Sequence, residues 1–305
     1  DVFDALPHPT WIMYTGKLLT LMLIVAVILS IGVVSGVLTQ VAMGYYRFQM
    51  SLYLTELLGL DLFRMFCLMV LAMAAHVMAP NKYLGYFLFV LMVVADTFLW
   101  ILLDVESRLV NFGSLPDYTY SDLYQFAPFT PGLRAFVAYW LLFAALVSIV
   151  GILYWQRGRE THVAARLDEF RGRWRGALRI TSLTVVVAWV IVAIWIRHNT
   201  QVLNQYLTVT QQEDLAERYE KELKGPYEPL SQPRVTEVKY EIDLMPERRS
   251  MELRGTQTLV NRDTVPQSEL CLNPAEGYET TIQLERGQLR EDLSDLNYQV
   301  YQLEP

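Results

Sequence analysis

Charge is scarce in this chain. Only 19% of its 305 residues are Asp, Glu, Lys or Arg, against about 25% in a soluble domain, and 53% are apolar, with a mean hydropathy of +0.23. An ordinary cytosolic enzyme is thereby disfavoured. Cysteine is almost missing: Cys67 and Cys271 cannot build a disulfide framework and are expected as free thiols. Histidine is nearly as rare, and none of His8, His76, His162 and His198 has a second His four residues away, which excludes a His-Glu-x-x-His zinc helix. There is no Gly-x-x-x-x-Gly-Lys-Ser/Thr loop and no Gly-rich dinucleotide fingerprint, so no nucleotide phosphate is cradled in either way. The chain opens at Asp1 without a charged n-region and cleavage site, and reads as a piece of a longer protein.

Charge is also uneven. Residues 1–200 hold 14 basic and 12 acidic side chains and residues 201–305 hold 11 and 20, so the net charge of -7 divides into +2 and -9. A membrane-like part is followed by an acidic, water-soluble one, whose charge would repel nucleic acid phosphates.

Five apolar stretches have the roughly 20 residues needed to cross a bilayer core: Leu18–Leu38, Leu62–Ala79, Leu84–Leu103, Leu133–Tyr154 and Leu178–Ile196. The second is the weakest, being short and carrying Arg64 and His76 near its ends; a buried or interfacial helix is its alternative. If all five cross, Lys17, Lys82, Arg157, Arg159, Arg166, Arg171, Arg173 and Arg175 share one side against Arg47 and Arg108 on the other. The bias places the 155–177 connection in the cytoplasm and everything after about Arg197 outside. Gly44–Leu60 is semi-apolar and reads as an amphipathic helix on the membrane surface. The loop Asp104–Gly132 is rich in aromatics and broken by Pro116, Pro128 and Pro131, which suits a re-entrant segment or an interfacial aromatic belt.

Past the last span, Gln211–Lys224 reads as a charged helix ended by Gly225-Pro226, followed by a Pro-rich connector. The period then changes to two. In Glu237–Leu244 every even residue is apolar and every odd one charged, the pattern of a strand with one buried face. Met251–Asn261 reads as its return strand, and Glu269–Leu272, Thr280–Glu285 and Tyr298–Leu303 as further strands. The expected fold is an α-helical membrane bundle of about five transmembrane helices followed by a partial all-β antiparallel domain. Its domains are residues 1–200, a stalk and linker at 201–232, and a β region at 233–305 that is expected to be cut short.

Ionisable groups within spans are the default functional candidates, because a charge at the bilayer centre costs about 3 kcal/mol or more. Asp96, past the middle of the third span, could line a substrate path or take up a proton, or make a helix-packing hydrogen bond. Arg64 is expected to snorkel to the interface, and His76 to serve packing. Gly32 and Gly36 form a Gly-x-x-x-Gly pair that would admit another helix. Seven arginines lie in Arg157–Arg179 against Glu160, Asp168 and Glu169. Arg166, Arg171, Arg173 and Arg175 are therefore read as a basic face for anionic lipid or for a docked cytoplasmic subunit.

Several stretches also carry a family resemblance. Ser35–Gln40 with Gly44-Tyr45-Tyr46 and Leu52–Leu57, then Asn81–Tyr86, Asn111–Ser114 and Thr119–Asp122, resemble the later spans of a large bacterial ABC-type exporter permease. Asn199–Asn204, Tyr219-Glu220-Lys221, Gln232–Val235 and the strand pair Val238–Leu244 and Glu252–Asn261 are similar to the junction with, and the start of, an extracytoplasmic aminopeptidase N-like (gluzincin) domain. The resemblance implies a bacterial inner-membrane protein with further spans upstream, a separate ATP-binding subunit on the cytoplasmic face and a peptide substrate. It implies zinc only in a downstream region: neither the family's zinc helix nor its Gly-x-Met-Glu-Asn site has a counterpart here, so no catalytic, cofactor or metal residue is carried over. A membrane-anchored zinc aminopeptidase and a non-catalytic envelope interaction module are the competing readings.

Overall fold

The computed structural model describes residues 9–155, 163–204, 206–248, 250–275 and 277–304. His8, Arg157, Arg159, Glu160 and His162 lie outside the described residues, as does the side chain of Arg166. The chain divides between Tyr206 and Leu207 into two compact units.

Among its described residues the first unit contains five helices long and apolar enough to cross a membrane: α1 (Thr10–Ala42), α2 (Met50–Met78), α3 (Lys82–Leu102), α4 (Thr130–Tyr154) and a last one over Ala177–Val202. The shortest has 21 residues, about 31 Å at 1.5 Å per residue, which matches a hydrocarbon core. Between α4 and the last span lies the short helix α5 (Val163–Arg173); α6 is Ala177–Arg197, prolonged by a π-helical turn, His198–Val202. α2 packs against α1, α3 and α4, and α4 packs against α6, α5 and α1. Large apolar side chains remain on the outside, among them Leu23 and Ile31 of α1, Phe87 and Ile101 of α3, and Ile191 and Ile194 of α6. Water would penalise these faces at about 25 cal/mol per Å², whereas lipid would not.

The expected surface helix over Gly44–Leu60 is replaced by a longer second span. Met50–Met78 forms one helix, and its stretch Leu54–Asp61 is wound as a π-helix. The Gly-x-x-x-Gly pair of α1 explains the attachment. A Cβ on Gly36 would lie 2.9 Å from the Tyr53 hydroxyl, and one on Gly32 would lie 3.4 Å from Leu57 Cδ2. Two missing side chains thus admit Tyr53 and Leu57, and contact with α1 holds this segment beside the bundle.

Two buried clusters form the core. One joins Leu60, Phe63 and Cys67 of α2 to Leu133, Phe136, Tyr139 and Trp140 of α4, Ile196 of α6 and Leu115. The other joins Tyr14 and Leu18 to Val70 and Ala144. Tyr14 is fully buried, donates to Ser148 Oγ at 3.3 Å and lies where a Cβ on Gly151 would be 2.8 Å from its ring.

Residues 103–129 contain no regular helix or strand, yet they pack into this core. Phe112 meets Trp140 and Phe143 edge-on, with ring centroids 5.4 and 5.5 Å away, and Leu115 is buried. Irregular backbone packed into a core requires internal partners. They are present: Tyr139 Oη donates to the Leu109 carbonyl at 3.0 Å, and Trp140 Nε1 donates to that of Ser114 at 2.8 Å. Phe112, Tyr118, Tyr120, Phe126 and Phe129 are half-buried packing residues, and of the loop's aromatics only Tyr124 has the exposure of a belt residue.

In the second unit, α7 (Val209–Tyr219) begins with a capping box in which the Thr208 hydroxyl accepts from the Gln211 N–H and the Gln211 side chain accepts from the Thr208 N–H. The helix continues through Glu220–Lys224 and Gly225–Tyr227, past the expected stop, because the Tyr227 ring packs at a tilt against Tyr298, centroids 5.6 Å apart, and its hydroxyl donates to Glu291 at 2.8 Å. Leu215 and Leu223 pack with Leu296, Tyr298 and Val300. The expected stalk helix therefore belongs to the same compact unit as the strands.

Five strands follow among the described residues. β1 (Arg234–Met245) and β2 (Ser250–Val260) form an antiparallel ribbon with a bulge between Val235 and Glu237. β3 (Glu269–Leu272), β4 (Gly287–Leu293) and β5 (Tyr298–Leu303) form an antiparallel sheet in the order β3–β5–β4. The strand expected over Thr280–Glu285 is not formed; its place beside β5 is taken by β4, where Leu289 faces Tyr301 and Leu293 faces Tyr298. A bulge between Leu289 and Glu291 breaks the alternation and masks this strand in the sequence. The alternation of β1 does produce a strand, but not the expected buried face: Val238, Tyr240, Ile242 and Leu244 are 47% to 68% exposed.

Candidate functional site

The intramembrane candidates fall in different places. Asp96 on α3 makes the packing bonds of its plainer reading. Its carboxylate accepts from Trp100 Nε1 and from the backbone N–H of Phe112, each at 3.2 Å, so it anchors the irregular loop to α3. A carboxylate holding a backbone N–H is a strong local tie. His76 also serves packing: its Nδ1 lies 2.9 Å from the Ala72 carbonyl and its ring meets Tyr86 edge-on at 4.9 Å. Gly85 is required beside it, since a Cβ there would lie 2.8 Å from the imidazole.

Arg64 is different. It does not reach outward alone but joins a polar cluster that spans the π-helical stretch of α2 and the loop. Its Nη1 donates to Asp61 Oδ1 at 3.0 Å and its Nη2 donates to the Tyr118 hydroxyl at 3.2 Å. Tyr118 in turn donates to Glu56 Oε1 at 2.7 Å. Burial raises the Tyr118 pKa, the Glu56 carboxylate raises it further, and Arg64 offsets part of this. The phenol therefore stays protonated at neutral pH and relays a hydrogen bond between guanidinium and carboxylate.

Beside this relay Arg108 donates to the Leu115 carbonyl at 2.8 Å and to Asp117 Oδ2 at 2.5 Å. The two systems border an open cleft of about 470 Å³ lined by Glu56, Arg64, Arg108, Ser114, Asp117 and Tyr118. Sequence reasoning singles out Arg64 but not Glu56, Arg108, Asp117 or Tyr118; loop packing brings Arg108, Asp117 and Tyr118 to Glu56 and Arg64 across 44 to 62 positions of chain. One local signal is available. Glu56, Asp61 and Arg64 are three charges within nine residues of an otherwise apolar region.

At the other end of the bundle the side chains of Arg171, Arg173 and Arg175 are described, and they differ in their partners. Arg173 turns inward, donating from Nη1 to the carbonyls of Leu153 at 3.2 Å and Trp155 at 2.6 Å, and from Nη2 to Glu169 at 2.9 Å. It thus caps the C-terminus of α4, where a cation complements the helix dipole. Arg171 reaches Asp168 at 3.7 Å with both side chains exposed, a pair worth about 0 to 1 kcal/mol. Arg175 is exposed. Beyond it, Trp174 donates to Ser182 Oγ at 3.0 Å and lies under the Arg179 guanidinium at 5.5 Å. Among the described residues no three His, Cys, Asp or Glu side chains come together as a metal site would require. No protein-family model, curated protein or solved structure matches the chain.

Proposed function

We propose that this chain is a membrane-spanning permease component of an ABC-type exporter in a bacterial inner membrane, carrying an extracytoplasmic aminopeptidase-like domain. The observation that carries this reading is the fastening of α5 to α4 and of the turn after it to α6. Arg173 ties it to the end of α4 and Trp174 ties the following turn to Ser182 of α6, so a displacement of this basic connection would reach two spans together. A partner that hydrolyses ATP needs such a lever, since the chain has no phosphate-binding loop of its own. The stretches that carry the resemblance also coincide with structural necessities. Gly36 admits Tyr53, Asn81 caps α3 by accepting from the Leu84 N–H at 2.9 Å, and Gly113, at φ +79°, lies against Cys67.

In this mechanism ATP hydrolysis by a separate subunit at α5 tilts the bundle between inward and outward states. The unit beginning at Leu207 lies on the outer side and captures or processes peptides there. The test is purification of the intact protein from native membranes in mild detergent. A co-purifying subunit with a phosphate-binding loop, whose ATP hydrolysis rises with peptide and which is released by Arg171→Glu with Arg175→Glu, supports the reading. Absence of any ATP-hydrolysing partner, together with an inert charge reversal, contradicts it.

A further inference from the structure

The cleft between α2 and the loop contains both signs of charge, and that restricts what it can hold. A simple anion would face Glu56 and Asp117; a simple cation would face Arg64 and Arg108. A ligand with an anionic group and an ammonium joined by a short linker meets both. We propose that this cleft binds a zwitterion of the phosphoethanolamine type, its anionic oxygens on Arg64 and Arg108 and its ammonium on Glu56 and Asp117.

Three further observations point the same way. First, capacity remains. Each guanidinium has five N–H donors, of which Arg64 and Arg108 each place two on protein acceptors, and Tyr118 engages only Oε1 of Glu56. Second, the depth is that of headgroups. The α-helical part of α2 after its π-helical stretch, Leu62–Met78, has 17 residues, about 26 Å, which nearly fills a 30 Å core, so Glu56, more than a turn before it, falls near the polar layer. Exposed Tyr45 and Tyr46 precede α2, and exposed Leu123 and Tyr124 lie on the loop. Gln49 joins the two segments by donating to Asp122 at 3.0 Å. Amphipathic rings at such a level belong to the membrane–water interface. Third, the volume of about 470 Å³ suits a small polar ligand. The same chemistry could be presented by a lipid headgroup or by a soluble zwitterion. The inference is independent of the exporter reading, because it requires only the cleft and its depth.

The test offers the intact chain, purified in detergent, an equimolar mixture of phosphatidylethanolamine, phosphatidylcholine and phosphatidylglycerol with matched acyl chains, and counts retained lipid by native mass spectrometry. Phosphatidylethanolamine is expected to be retained over the other two, and glycerophosphoethanolamine in excess to displace it. Glu56→Gln keeps the acceptor for Tyr118 but removes the charge, and is expected to lower the preference over phosphatidylglycerol about tenfold, the loss of one charge-assisted bond. Asp117→Asn, at an exposed loop position, gives a smaller drop in the same direction. Binding of glycerophosphoethanolamine without lipid preference assigns the site to a soluble zwitterion. Equal retention of all three lipids with no binding of the soluble compound overturns the proposal, as does a preference unchanged in both variants.

Discussion

The loop at residues 103–129 and the β1–β2 ribbon are opposites. The ribbon has a regular alternation, eleven paired positions and no buried apolar face. The loop has no period, two prolines, Pro116 and Pro128, and a place in the core, with Leu115 buried and Phe112 among the rings of Trp140 and Phe143. Periodicity specifies the local backbone, because alternation fits a pleat. Burial depends on what another part of the chain presents. Trp140, Tyr139 and Asp96 each present a polar atom to the loop's backbone, and no such partner reaches the apolar face of the ribbon among the described residues.

Substitutions should separate the two regions by size of effect. Trp140→Ala removes a 2% exposed ring and the donor to the Ser114 carbonyl, and is expected to cost about 3 to 5 kcal/mol, read as an earlier transition when the detergent-solubilised protein is titrated with denaturing detergent. Gly36→Leu forces a side chain against Tyr53 and should cost about 1 to 3 kcal/mol in the same titration. Arg173→Met leaves the Leu153 and Trp155 carbonyls without their cap and is expected to cost about 1 kcal/mol, with faster amide exchange confined to the last turn of α4. Ile242→Thr, on the exposed ribbon, should change stability by less than about 0.5 kcal/mol. A loss comparable to that of Trp140→Ala would show that the ribbon is covered and would break the contrast.

pH provides a further separation within the second unit. Burial raises the Tyr298 pKa, with Cys271 and the neighbouring Tyr219 and Tyr227 adding to it. A raised pKa means that this contribution is complete below the ordinary tyrosine value, about 10, and is lost as pH rises through the folded value. The contact of α7 with the sheet should therefore loosen only in strong alkali, seen as delayed phenol ionisation by ultraviolet absorbance, and Tyr298→Phe should abolish that delay. Asp295 behaves in the opposite sense. Its pKa is lowered by the 2.8 Å pair with Arg218, so its small contribution is lost as pH falls through the folded value, below the ordinary carboxylate range.

Much of this architecture is legible in the amino-acid sequence. Apolar runs locate the spans because a bilayer demands length and lack of charge, and capping and alternation locate α7, β1, β2, β3 and β5. The features that escape sequence reasoning share one cause: each depends on residues elsewhere in the chain or on a local irregularity. Gly44–Leu60 reads as a surface helix because Arg47 and Glu56 dilute its apolar pattern, and only Gly32 and Gly36 on another helix explain the attachment of its second half. A bulge displaces the period of β4, and the π turn of α2 has no sequence signature. In the polar cleft, Arg64 is recognisable as a charge in a span, whereas Glu56, Arg108, Asp117 and Tyr118 become a site only through long-range packing of an aperiodic loop.

The most direct test of this arrangement is side-specific labelling of single cysteines in sealed membranes. Leu123→Cys, 89% exposed on the loop, and Arg175→Cys, exposed after α5, are each treated with a membrane-impermeant thiol reagent in a chain with Cys67 and Cys271 replaced by serine. The expected result is reaction of Leu123→Cys from the outside and of Arg175→Cys only after the membrane is permeabilised. Reaction of both from the same side would contradict the crossing of α4, and with it the placement of the cleft and of α5 at opposite faces.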